Sequence, residues 1–81
     1  MLFKSPHPDV AIPDATLTPF VLGHADRLWD KVAIVEAGSG RSYTYGAIAD
    51  GVRKLAAGLH ARGFAKGDVM AIMSPNVPEY P

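Results

Sequence analysis

The run Val69-Met70-Ala71-Ile72-Met73 carries no polar side chain on either face. A strand of that kind is stable inside a mainly parallel sheet, with neighbouring strands beside it and helices over both faces. Eighty-one residues do not contain that many strands and helices. A second signal follows the run. Asn76 is a preferred N-cap, Pro78 falls in a first turn where its missing N–H costs nothing, and Glu79 can bond back to the cap amide. Such a start calls for about eight or more helical residues, whereas only Tyr80 and Pro81 follow Glu79. The expectation is an α/β fold of which these residues form the opening part.

A chain of 81 residues makes at most one small domain, and one of that size buries only about 60% of its unfolded surface. The 48% hydrophobic content is that of a globular protein. Lys plus Arg equal Asp plus Glu, so the formal net charge is zero. Without a basic excess, neither nucleic acid nor an anionic membrane surface is an expected partner. Cysteine is absent, which removes disulfides and thiolate metal sites and is in keeping with the cytoplasm. A peroxisomal location is the alternative. Met1-Leu2-Phe3-Lys4 runs into Ser5-Pro6-His7-Pro8-Asp9, which interrupts any secretory apolar region. No apolar run approaches the ~20 residues of a transmembrane helix.

Residues 1–16 hold Pro6, Pro8 and Pro13, and each biases its predecessor to extended geometry. They read as an extended N-terminal arm lying on a larger body. Thr18 with Pro19 behind it marks a first helix. Phe20, Val21, His24, Ala25 and Leu28 give that helix one apolar face, ending near Trp29-Asp30. Val32-Ala33-Ile34-Val35 is a β-branched strand. Gly38-Ser39-Gly40 turns, and Ser42-Tyr43-Thr44-Tyr45 alternates as the partner strand across a hairpin loop of about four or five residues. A second helix is expected from about Tyr45 to Arg62, with Ile48, Val52, Leu55 and Leu59 as its apolar stripe and Gly63 just past its C-cap. Gly51, Gly58 and several alanines keep the helix slim, which points to burial against more than one neighbour. Residues 64–68 turn into the Val69–Met73 strand. The order is helix, β-hairpin, helix, buried strand and the start of another helix, with residues 17–81 as the incomplete beginning of a larger domain.

None of the chemistry-bearing residues forms a recognisable constellation. Gly38-Ser39-Gly40-Arg41 looks faintly like a phosphate loop, but a dinucleotide fingerprint needs a third glycine and a helix where this sequence has Tyr43 and a strand. A hairpin turn accounts for it better. His7, His24 and His60 have no spacing that brings two onto one face, and a metal needs three or four convergent ligands. Ser5, Ser39, Ser42 and Ser74 lack a nucleophile motif. Asp26, Arg27, Arg53 and Lys54 read as solvated charges. Tyr43 and Tyr45 alternate about Thr44 and are expected to pack together on the second helix rather than on a ligand. No residue is assigned a catalytic, cofactor-binding or metal-ligating role.

At Arg41-Ser42-Tyr43-Thr44-Tyr45 and the helix after it, the chain resembles the amino-terminal end of adenylate-forming enzymes, the AMP-binding superfamily of acyl-CoA synthetases, luciferases and peptide-synthetase adenylation domains. Within the superfamily it is most similar to the 4-coumarate:CoA ligase-like group and its fatty acyl-CoA synthetase relatives. Leu2-Phe3-Lys4-Ser5, Pro8-Asp9-Val10 and Ile12-Pro13 are similar to the arm that opens plant-type ligases. Tyr43-Thr44-Tyr45 through Ala56-Ala57-Gly58-Leu59 to Gly63 resembles the first core motif and its helix. Lys66-Gly67-Asp68-Val69 and Ser74-Pro75-Asn76-Val77-Pro78-Glu79-Tyr80 resemble the strand and turn that come next.

The resemblance implies the start of the large N-terminal domain of an ATP-dependent carboxylic acid:CoA ligase. Such an enzyme uses ATP and Mg²⁺ to form an acyl-adenylate, from which coenzyme A displaces AMP. The family's phosphate loop, adenine-binding motif, ribose-binding Asp and catalytic Lys lie downstream of the matching region. No residue of 1–81 corresponds to any of them, so the chain by itself is expected to bind no cofactor and to be inactive. Its expected partner is the remainder of the enzyme, in the same chain or a second one. A stand-alone small interaction protein, an inactive remnant, and one half of a split ligase remain open at this point.

Overall fold

One threonine separates the two best-formed elements of the chain. Thr44 ends a strand, and its extended backbone (φ −79°, ψ 163°) lets its hydroxyl accept a hydrogen bond from the Ala47 amide at 3.1 Å. It is thereby also the N-cap of a helix, where a hydroxyl satisfies one of the first-turn amides. The computed structural model describes residues 1–81 and has four regular elements: α1 (Leu17–Leu22), β1 (Val32–Val35), β2 (Ser42–Thr44) and α2 (Tyr45–Ala61).

Helix α2 ends as its sequence dictates. The Gly63 amide donates to the His60 carbonyl and the Phe64 amide to the Leu59 carbonyl, both at 3.0 Å. This Schellman pair of bonds requires a left-handed residue between them, and Gly63 supplies it at φ +88°. Leu59 and Phe64, which such an ending brings together, are both half-buried.

Strands β1 and β2 pair antiparallel, with Val32 opposite Thr44, Ile34 opposite Tyr43 and Val35 opposite Ser42. Ala33 is the extra residue of a bulge between Val32 and Ile34. The ladder extends one step beyond β1, where the Glu36 amide donates to the Arg41 carbonyl at 2.8 Å. Residues 37–40 make the turn, closed by the Gly40 amide on the Glu36 carbonyl at 2.9 Å with Gly40 at φ +74°. The four-residue turn is the hairpin connection expected of Gly38-Ser39-Gly40.

The segment before β1 caps α2 from outside. The Tyr45 amide donates to the Lys31 carbonyl and the Gly46 amide to the Trp29 carbonyl, each at 2.9 Å. Two first-turn amides that have no partner within the helix are satisfied in this way. The Trp29 indole lies flat against Gly46, so close that a Cβ at that position would stand 2.7 Å from Nε1. Gly46, Ala49, Ala25 and Pro78 are the four buried residues of the 81. The radius of gyration is 17.1 Å, against about 12 Å for a packed domain of this length. Surface that a finished domain would cover is therefore open.

The structure corrects several sequence expectations. The first helix begins two residues earlier, with Thr16 and not Thr18 as N-cap, and stops at Leu22. Residues 23–30 continue as turns, not helix, up to Trp29-Asp30. Gly23 sits at the break, and the bonds after it alternate between three- and four-residue steps, as in Ala25 to Leu22 at 2.9 Å and Leu28 to His24 at 3.2 Å. Of the apolar face expected there, only Ala25 is buried.

Val69–Met73 does not form the expected buried strand. It has no ladder partner, and Val69 and Met73 stand 91% and 102% exposed. The physical reason is the one that made the run conspicuous: a strand needs neighbours, and the single sheet here is the β1–β2 pair. The α2 stripe is likewise uncovered at Val52 and Leu55. Residues 1–16 form neither helix nor strand and are exposed throughout.

Candidate functional site

The best-connected group of side chains lies at the mouth of the hairpin turn. Ser39 in the turn donates its hydroxyl to the Glu36 carboxylate and accepts from the Arg41 amide at 3.1 Å. Arg41 is held there by backbone pairing with Glu36, which aims its guanidinium across the end of the sheet. Its Nε donates to Glu36 Oε2 at 3.2 Å. Its Nη2 donates to Glu79 Oε2 at 3.2 Å, and Nη1 donates to the other oxygen of the same carboxylate. The Tyr43 hydroxyl, two residues along from Arg41, donates to Glu79 Oε1 at 3.0 Å. One guanidinium thus serves two carboxylates, and the contact with Glu79 is the two-toothed fork that arginine forms best.

The electrostatics follow from these bonds. The Arg41 hydrogen bond, with help from Tyr43, holds the Glu79 carboxyl below the usual carboxylate range. Glu36 is lowered by its hydrogen bonds from Ser39 and then Arg41. The Tyr43 phenol is raised, because its hydrogen bond to Glu79 and the negative charge there both favour the protonated form. Arg41 is raised by its two carboxylates. A general acid or base works best with a pKa near the operating pH. These shifts move both carboxylates and the phenol away from neutrality, as ion pairing and hydrogen bonding dictate.

Glu79 is where the sequence reading and the structure part most clearly. It was expected to bond back to Asn76 and open a helix. Residues 76–80 instead make a single turn, with the Tyr80 amide on the Val77 carbonyl at 3.0 Å, and the Glu79 side chain goes to Arg41. Tyr43 and Tyr45 do not share a strand face either. Tyr45 is the first residue of α2, while Tyr43 reaches Glu79. Nothing in the spacing links Arg41 with a residue 38 positions on; only opposite charge hinted at the pair.

The remaining candidates stand apart. In the Gly38-Ser39-Gly40 turn the Gly40 amide donates to the Glu36 carbonyl and the Arg41 amide to the Ser39 hydroxyl. The Ser5 hydroxyl accepts from the His7 amide at 3.1 Å, and that of Ser74 donates to the Pro75 carbonyl at 3.0 Å. No group of three or more His, Asp or Glu side chains converges as a metal site. Lys54 pairs with Asp50 one turn back on α2 at 3.0 Å. An open groove of about 330 Å³ runs between α1 and α2, with Asp26 and Arg53 on its walls and Ala49 in its floor. Arg41, the cation of the cluster, is engaged by two carboxylates. No helix is long and apolar enough to cross a membrane.

Comparison with known proteins gives the chain its setting. The family model described as AMP-binding enzyme matches residues 23–81. The chain is 44% identical over 82 aligned residues to 4-coumarate--CoA ligase-like 9 of Oryza sativa subsp. japonica, which covers 99% of this chain and 15% of that protein. It is 42% identical to 4-coumarate--CoA ligase-like 1 of Arabidopsis thaliana, covering 98% of this chain and 15% of the relative. A probable 4-coumarate--CoA ligase 1 of Dictyostelium discoideum is 33% identical over 96% of the chain and 14% of its own length. No solved structure matches. The chain spans about 15% of the length of the curated relatives it matches, and across that span it belongs to the AMP-binding enzyme family.

Proposed function

We propose that these residues are the opening scaffold of the large domain of an ATP-dependent carboxylic acid:CoA ligase of the 4-coumarate:CoA ligase-like group. The observation that carries this reading is similarity along nearly the whole chain, 99% of it against the rice ligase-like protein, to a small part of a much longer one. Supporting it physically, α2 presents Val52 and Leu55 to solvent, and Val69–Met73 is an apolar run without a sheet. Both are surfaces a surrounding domain would cover.

The reaction of such an enzyme runs in two balanced steps. A carboxylate oxygen attacks the α-phosphorus of ATP, forming an acyl-adenylate and releasing pyrophosphate. The thiol of coenzyme A then attacks the acyl carbon, giving the thioester and AMP. Charge on the phosphates calls for metal and cationic groups, and the part assigned to residues 1–81 is structural. The hairpin and α2 meet at Thr44, and the remainder of the enzyme, as the same or a second chain, brings the chemistry. A carboxylic acid is the substrate class, nucleic acid is not a partner, and the cytoplasm is the proposed location.

The test is acid-dependent exchange of labelled pyrophosphate into ATP. The 81-residue chain alone is expected to show none. The same residues joined to the following part of a plant ligase-like relative are expected to restore it, and adding that part as a separate chain distinguishes a split enzyme. Exchange by the chain alone, or a folded but inactive chimera, overturns the reading.

A further inference from the structure

We propose that residues 74–81 form a strap that Glu79 latches over the hairpin, with Arg41 and Tyr43 as its catch. The strap has a seat and a lock but no backbone seam. Pro78 is buried and Val77 half-buried, beside a cleft of about 230 Å³ whose opposite wall is Ile34, Val35 and Glu36. No backbone hydrogen bond joins residues 69–81 to either strand. The polar attachments are those of the Glu79 carboxylate: the Arg41 fork and the Tyr43 hydroxyl. Glu36 holds Arg41 from the other side, so the catch is formed before the strap arrives and loses little side-chain freedom on closing.

Surface ion pairs are weak when they are single and solitary. This one is forked, shares its acceptor with a phenol and belongs to a network, which is the geometry in which such a pair does hold. Its consequence reaches the segment before it. Val69–Met73 runs between two fixed points, the Schellman end of α2 and the latch, so closing the strap sets where that apolar run lies relative to the hairpin. The titratable and charged groups facing Glu79 are Arg41, Tyr43 and, through Arg41, Glu36. The inference concerns the chain's own conformation and stands apart from the ligase reading, since its readout is not activity.

The experiment is amide hydrogen exchange read residue by residue by NMR on the whole chain, kept dilute to suppress association. In the native sequence at low salt, the Tyr80 amide, bonded to the Val77 carbonyl, is expected to be the protected amide of residues 74–81. That protection is expected to fall several-fold in Glu79→Gln and in Arg41→Gln, and to return in the charge-swapped pair Arg41→Glu with Glu79→Arg. Raising salt to about 1 M, where the screening length is ~3 Å, is expected to loosen the native strap without any substitution. An unprotected native Tyr80 amide, protection unchanged in both single variants, indifference to salt, or failure of the swap to restore protection would each overturn the latch.

Discussion

Gly46→Ala and Gly51→Ala place the same methyl on the same helix, and the structure gives them opposite signs. In a helix interior alanine is favoured over glycine by up to ~1 kcal/mol. At Gly51 the added Cβ meets nothing within 4 Å, so that preference acts alone. At Gly46 it would lie 2.7 Å from Trp29 Nε1 and against the body of the indole, well inside the ~3.5–4 Å of good carbon contact. Either the ring swings out into water or the first turn of α2 lifts. Lifting stretches the 2.9 Å bond from the Gly46 amide to the Trp29 carbonyl, a bond of a kind worth about 1 kcal/mol net. Overpacking of this sort costs about 1–3 kcal/mol. Against the helix preference, Gly46→Ala is expected to lose about 1–2 kcal/mol, while Gly51→Ala gains about 0.5–1 kcal/mol. The assay is urea unfolding followed by far-UV circular dichroism and by the emission of Trp29, the single tryptophan. Gly46→Ala should lower the midpoint and shift native emission to the red; Gly51→Ala should raise the midpoint and leave emission unchanged. If Gly46→Ala stabilises α2 as Gly51→Ala does, the indole is not seated on the glycine and the reasoning fails.

Other expectations follow from exposure and charge. Leu55 is 60% exposed, so Leu55→Asp should change the unfolding midpoint of the 81-residue chain by less than the equivalent of ~0.5 kcal/mol, yet abolish soluble expression of a ligase-length protein in which α2 is covered. Equal tolerance in both would count against the scaffold role. Val69–Met73 offers an apolar, unpaired stretch to other copies of the chain, so Ile72→Lys should shift the size-exclusion profile towards monomer; a native chain already monomeric at high concentration would contradict this. Glu79 is lowered chiefly by Arg41 and Glu36 chiefly by Ser39, so their contribution to the closed strap is complete above the ordinary carboxylate value of 4.5 and is lost as pH falls through their lower values. Tyr43 ring resonances should therefore move only below pH 4.5, and a midpoint at or above that value would argue against the pairing.

What the sequence determined by itself is local. Thr44 before a helical pattern and Gly63 after it set both ends of α2, because capping bonds and a left-handed residue act within one turn. The β-branched run at Val32 and the glycines at 38 and 40 sufficed for the hairpin, for the same short-range reason. The family, too, was legible in the order of motifs along the chain, and the match over residues 23–81 agrees. Where a contact spans the chain, tertiary structure decided. Gly46 looked like one slim residue among several until the Trp29 ring was placed on it, while Gly51 and Gly58 proved to face open space. Glu79 had a complete local role waiting as a capping residue, and the Arg41 fork took it, because a charge-assisted, two-bond contact outcompetes a single bond to a cap amide. The Val69–Met73 run shows the converse limit: its pattern specifies a buried strand, but a strand exists only by pairing, and its partners are not among these residues.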